Sequence, residues 1–116
     1  MNLYLDDVRN PPDDSWTLVR TAEEARAIIA TGVVECASLD HDLGECDECA
    51  AKSSTPGLFY PFSCRHRMTG YDLVKWMAEE GHWPKRKPIV HSANPVGRAN
   101  MVATINRYYR APECRP

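Results

Sequence analysis

The chain has 116 residues, 43% of them hydrophobic, enough for one compact core and too few to divide comfortably into two, so a single domain over 1–116 is expected. No apolar run approaches a membrane span, and the N-terminus reaches Asp6-Asp7 without a basic or long apolar segment; no anchor, no signal peptide and a cytoplasmic location are expected. The net charge of −2 divides into −8 over residues 1–64 (4 basic, 12 acidic) and +6 over 65–116 (10 basic, 4 acidic), yet the one basic cluster, Lys85-Arg86-Lys87, sits in a proline-bounded loop and reads as a solvated loop, not a nucleic-acid face.

In chain order, residues 2–5 form a short apolar run that reads as a first strand. Asn10-Pro11-Pro12-Asp13-Asp14 is too short and proline-rich for an ordinary helix, so a loop or single turn should lead to a second strand at 16–19. Thr21-Ala22-Glu23-Glu24 is a capping box, with the Thr21 hydroxyl suited to an orphan amide and Glu24 able to reach back. Ala22, Ala25, Ile28 and Ile29 then recur at helical spacing and Gly32 supplies the stop, which predicts a helix over 22–31. Residues 36–39 are apolar enough for a buried third strand. Beyond an irregular stretch at 44–68, Thr69-Gly70-Tyr71-Asp72 opens a second helix, with Leu73, Val74 and Met77 on one face and Gly81 at its end. A fourth strand is expected at 88–91. Asn94-Pro95 then offers a cap and a first-turn proline to a third helix striped by Met101, Val102, Ile105, Tyr108 and Tyr109. Strands alternating with helices imply a parallel α/β sheet with right-handed crossovers.

Residues 44–68 need an ordering agent of their own, because Gly44 to Thr55 carries no large aliphatic side chain. Cys46-x2-Cys49 followed by Cys64-x-His66 offers three thiolates and one imidazole, the ligand types and number of tetrahedral Zn²⁺. A zinc knuckle is therefore expected, with His41, Cys36 or Cys114 as substitutes for His66. Free reduced thiols and a disulfide compete with it; a disulfide sits poorly with five cysteines and no signal peptide. Four closed ligands leave no position for substrate, so the ion would be structural.

Three apolar runs end in reactive side chains: Asp6-Asp7-Val8-Arg9, then Asp40-His41-Asp42, then His91-Ser92-Ala93-Asn94. In an open parallel sheet ligands bind outside the strands' carboxyl ends, so the three segments are expected to converge. Asp6, Asp7, Asp40 and Asp42 would crowd like charges there, and a hard divalent cation, Mg²⁺ or, if an imidazole joins, Mn²⁺, relieves that repulsion and takes up phosphate oxygens. His41 and His91 have the chemistry of a general acid and base on a phosphoester. Ser92 and Asn94 can donate to a phosphate oxygen and Arg9 can neutralise it. Each has a plain alternative: capping for the aspartates, Ser92 and Asn94, a hydrogen-bonded structural role for each histidine, a surface cation for Arg9.

The Asp6-Asp7 pair, Asp40 and Ser92-Ala93 resemble the metal-binding acidic pair, phosphoacceptor aspartate and small hydroxyl residue with alanine of a response-regulator receiver domain. The chain departs from that pattern, since no fifth strand bearing the receiver's lysine follows the last helix. The fuller set, Leu5-Asp6-Asp7-Val8-Arg9-Asn10-Pro11, Ser38-Leu39-Asp40-His41-Asp42-Leu43-Gly44, Thr69-Gly70-Tyr71-Asp72 and His91-Ser92-Ala93-Asn94-Pro95, is similar to the cyclic-phosphate processing receiver domain family. That resemblance implies a receiver-like (flavodoxin-like) reduced sheet of about four parallel strands with helices on both faces, the cysteine-rich insertion being a local addition. It also implies action on cyclic phosphates, such as RNA 2′,3′-cyclic ends.

The reading that follows is a metal-assisted phosphoesterase whose partner is a phosphate-containing small molecule or an RNA end. Asp6, Asp7, Asp40 and Asp42 would hold the ion, His41 and His91 shuttle protons, and Arg9, Ser92 and Asn94 orient the phosphate. Asp40 is also a candidate to attack phosphorus itself. The alternatives are a non-catalytic module that takes a protein or nucleotide partner through the zinc knuckle, and a phosphorylation switch, which the missing lysine disfavours.

Overall fold

The computed structural model describes residues 1–43, 68–110 and 112. Strands β1 (Asn2–Leu5), β2 (Trp16–Val19), β3 (Cys36–Leu39) and β4 (Ile89–Val90) form one parallel sheet in the order β2-β1-β3-β4. Helix α1 spans Ala22–Ala30, α2 Gly70–Glu80 and α3 Pro95–Tyr108. The first three strands fall where the apolar runs place them. The fourth is shorter than 88–91 because Pro88 has no N–H for a ladder.

Local chemistry starts and stops each helix. Thr21 accepts from the Glu24 amide at 3.2 Å, but its hydroxyl donates to the Glu24 carboxylate and the reciprocal half of the box is not formed. The complete capping box belongs to α2, where Thr69 Oγ1 accepts from the Asp72 amide (3.1 Å) and Asp72 Oδ2 accepts from the Thr69 amide (3.0 Å). Gly81 ends that helix at φ +70°, a left-handed conformation that costs glycine nothing. Asn94 Oδ1 accepts from the Gly97 amide (3.0 Å) to open α3.

Alternation along the strands sorts side chains into two clusters. Leu3, Leu5, Ala37 and Leu39 point to one face and pack under Ala22, Ala25 and Ile29 of α1, Leu73, Val74 and Met77 of α2, and Met101 and Ile105 of α3. Tyr4, Trp16 and Cys36 point to the other, with Leu18 and Ile89 against them. All three described helices thus lie on the same face, which corrects the expected division between two. The cause is topological. The chain steps from β1 to β2 in one direction and from β2 through β3 to β4 in the other, so right-handed crossovers put any β1–β2 helix on the face opposite the rest. The β1–β2 connection is the proline-rich loop and supplies no helix. Cys36, considered as a substitute zinc ligand, opens β3, is 5% exposed and packs with Tyr4 and Trp16. The main expected zinc ligands, Cys46, Cys49, Cys64 and His66, and the substitute Cys114, lie outside the described residues. Among the described residues no helix is long and apolar enough to cross a membrane.

The register decides where the chemistry sits. Leu5 is level with both Val19 and Leu39, and Leu39 with Val90. The next residue of each strand continues the ladder: Asp6 N–H donates to Val19 O (3.2 Å), Asp40 N–H to Leu5 O (3.0 Å) and His91 N–H to Leu39 O (3.0 Å). Asp6, Asp40 and His91 therefore stand side by side at the carboxyl ends of β1, β3 and β4.

Candidate active site

One ligand atom each from Asp6, Asp40 and His91 lies within 4.8 Å of the others. Beside them is a cavity of about 250 Å³ lined among the described residues by Asp6, Asp7, Val8, Arg9, Asp40, Asp42 and Ala93. Four carboxylates around so small a space form a donor set of hard oxygens, which fits a divalent cation of the Mg²⁺ or Mn²⁺ type, and the Arg9 guanidinium adds a fixed positive charge to the wall. The opening of α2 packs against the backbone of residues 40 and 41. Gly70 N–H donates to His41 O at 2.9 Å, and a Cβ at Gly70 would lie 1.9 Å from the Asp40 carbonyl oxygen, so only glycine lets the helix approach that closely.

The carboxylates are not equivalent. Asp6 is 1% exposed, and that burial opposes its ionisation; the amides of Arg9 (2.8 Å) and Val8 (2.9 Å), both donating to Oδ1, and His91 at Oδ2 (3.0 Å) outweigh it and hold its carboxyl below the ordinary range. Asp40 is pushed up, first by burial and then by the charge of Asp6, despite the His41 amide on Oδ1 (2.8 Å) and hydrogen bonding from the Ser92 hydroxyl. Asp7 is also raised, by burial ahead of the charges of Asp40 and Asp6. Such splitting of proton affinities among adjacent acids is a common feature of reactive centres, and a cation beside Asp7 and Asp40 would relieve the repulsion that raises them.

The two histidines do different things. His91 has both ring nitrogens engaged, Nε2 with Asp6 and Nδ1 with Ser38 Oγ (2.8 Å), and its ring stacks on Tyr4 at 4.4 Å. His41 has one engaged: Nδ1 lies 2.8 Å from Asp42 Oδ1, which also accepts from Asn94 Nδ2 at 3.2 Å. No described residue hydrogen-bonds His41 Nε2. Its ring is pressed onto α3, where a Cβ at Gly97 would come 2.4 Å from the imidazole. An imidazole oriented by a carboxylate, with its far nitrogen open, has the arrangement of a general base.

Of the expected phosphate-binding residues, Arg9 lines the cavity. Ser92 is 5% exposed, engages Asp40 and accepts from the Asn94 amide (3.1 Å). The Asn94 side chain accepts from the Gly97 amide at the α3 cap and donates to Asp42. Sequence reasoning missed Arg20, which braces the acidic loop by donating to the carbonyls of Asp6 (3.3 Å) and Arg9 (3.0 Å) and to Asn10 Oδ1 (3.1 Å). Its signal was a cation at the exit of β2, level with the other three strand exits. Ser38 was missed as well, because a strand serine gives no hint that a histidine 53 residues away faces it.

A sequence model of the family described as cyclic-phosphate processing receiver domain matches residues 1–107. No curated protein and no solved structure matches the chain.

Proposed function

The chain belongs to the cyclic-phosphate processing receiver domain family, with a receiver-like α/β fold, and on that premise we propose that it is a cation-assisted phosphoesterase that opens a cyclic phosphate on a nucleotide or RNA end. The observation that carries this reading is the convergence of Asp6, Asp7, Asp40 and Asp42 with Arg9 around one small cavity at the strand ends. Asp6, Asp7 and Asp40 would hold a hard divalent ion, Mg²⁺ or Mn²⁺; such an ion polarises a phosphoryl oxygen and lowers the pKa of water.

The chain's own residues supply the rest. Arg9 neutralises the phosphate from the cavity wall. Asp42, held by Asn94, keeps the His41 proton on Nδ1 and presents Nε2 as the base. A water oxygen bonds to phosphorus as its proton passes to His41 Nε2; one ring P–O bond breaks, and the departing alkoxide takes that proton back. His91 serves as a prop for Asp6 instead of a second shuttle, since neither of its ring nitrogens is open.

The test is a panel of cyclic and linear phosphodiesters with Mg²⁺ or Mn²⁺, comparing wild type with His41→Ala and Asp40→Asn. Turnover of a cyclic substrate is expected, with a loss of about 10²–10⁴-fold in His41→Ala. Cyclic phosphates that bind without turnover, or turnover indifferent to both substitutions, would overturn the assignment.

A further inference from the structure

Asp6, His91 and Ser38 form a hydrogen-bonded chain across the end of the sheet, and its polarity can be read link by link. Asp6 Oδ1 is occupied by two backbone amides, which leaves Oδ2 for His91 Nε2 at 3.0 Å. A carboxylate has no proton to give, so the proton in that bond is on Nε2. In a neutral imidazole Nδ1 is then bare, and the Ser38 hydroxyl, 2.8 Å away and 3% exposed, is the donor it faces. Tyr4, stacked within 7° of parallel, keeps the ring from turning out of this line.

We propose that His91 is a positioning residue that sets the ion preference of the site: Asp6 fixes it as the Nε2–H tautomer, the Ser38 hydroxyl donates to the bare Nδ1, and the imidazole stays out of the coordination sphere. The inference rests on the cation-assisted reading above. Proximity alone would count His91 as a third ligand with Asp6 and Asp40. A protonated Nε2 has no lone pair to offer a metal. To become a ligand, His91 would have to carry its proton on Nδ1, Ser38 would have to turn from donor to acceptor, and Asp6 would lose its side-chain donor. What remains for the ion is oxygen from Asp6, Asp7 and Asp40, a set that suits Mg²⁺ better than softer metals. The imidazole instead orients a ligating carboxylate from behind.

The experiment uses the full chain with ¹⁵N-labelled histidine, at a pH above the ordinary imidazole range. Long-range ¹H–¹⁵N spectra of the ion-free protein should show His91 protonated at Nε2 and bare at Nδ1. That pattern should be unchanged when Mg²⁺ is added, and unchanged in ion-free Ser38→Ala, because Asp6 still accepts from Nε2. Spin-echo spectra of bound Mn²⁺ should show no directly coordinated nitrogen in the wild type. A proton on Nδ1 in the wild type, loss of the Nε2 proton on adding Mg²⁺, or a nitrogen coordinated to bound Mn²⁺ would each overturn the proposal. Absence of any Mg²⁺-dependent shift would instead overturn the cation-assisted reading and the ion preference with it, while the ion-free tautomer would still decide whether Asp6 holds the His91 proton on Nε2.

Discussion

Replacing Gly70 by alanine tests whether the approach of α2 to Asp40 shapes the site. The added Cβ would fall 1.9 Å from Asp40 O, 2.9 Å from Asp40 C and 2.9 Å from Met101 Cε, whereas real contacts essentially never close below 3.0 Å. Met101 can swing aside, but a backbone carbonyl cannot, so the first turn of α2 and residues 40–41 must separate by about 1.1 Å. That movement strains the Gly70 N–H bond to His41 O and shifts the two residues assigned to the ion and to proton transfer. Overpacking of this kind costs about 1–3 kcal/mol. For a chain of this size the melting temperature should fall on the order of 5–10 °C. A displacement near 1 Å at a reacting centre costs about 10²-fold in rate. The assay is therefore paired: a thermal melt, and cyclic-phosphate turnover measured well below the melting point. Gly81→Ala is the control, because Gly81 has a φ of +70° but open space around it. It should lose about 1–2 kcal/mol from left-handed strain with turnover unchanged. Gly70→Ala with wild-type melting and wild-type turnover would refute the close-approach argument.

Asp40→Asn should abolish turnover yet raise the melting temperature near neutral pH. The folded chain binds the Asp40 proton more tightly than the unfolded chain, through burial and then the charge of Asp6, so its stabilising contribution is present in acid and lost as pH rises through the folded value. The gain should therefore shrink when both proteins are melted in acid. Asp6→Asn should behave oppositely, melting lower near neutral pH, with the deficit fading as pH falls through the depressed value. In a pH–rate comparison, Asp42→Asn should lower turnover less than His41→Ala, since it removes the orienting acceptor and leaves the base. Elemental analysis of the intact chain should find one zinc that Cys46→Ser and Cys49→Ser each remove, with turnover under Mg²⁺ retained wherever the melt shows a folded protein.

The secondary structure was legible because its signals are local. Val19 and Leu39 close apolar runs, Thr21, Thr69 and Asn94 are caps, and Gly81 is a stop; each acts over one or two turns of chain. The acidic centre was legible for a similar reason. A buried strand that ends abruptly in a carboxylate has few ways to be stable, and a parallel sheet collects such endings at one edge. The roles of the two histidines were not legible, since both follow apolar runs and both precede polar residues. Contacts far away in sequence separate them: His91 is claimed by Asp6 and Ser38, 85 and 53 residues distant, while among the described residues His41 has only Nδ1 engaged.

What the order of residues determined by itself was the set of elements, the parallel sheet they imply and the three exits that carry its acids and imidazoles. These depend on periodicity and capping, which neighbouring residues decide. The tertiary structure alone decided that every described helix covers the same face, that glycines at 70 and 97 bring helices into contact with Asp40 and His41, and which histidine has both ring nitrogens engaged and which has only one engaged among the described residues. Those outcomes depend on crossover handedness, interatomic distance and hydrogen-bond polarity, quantities that exist only once distant segments have been brought together.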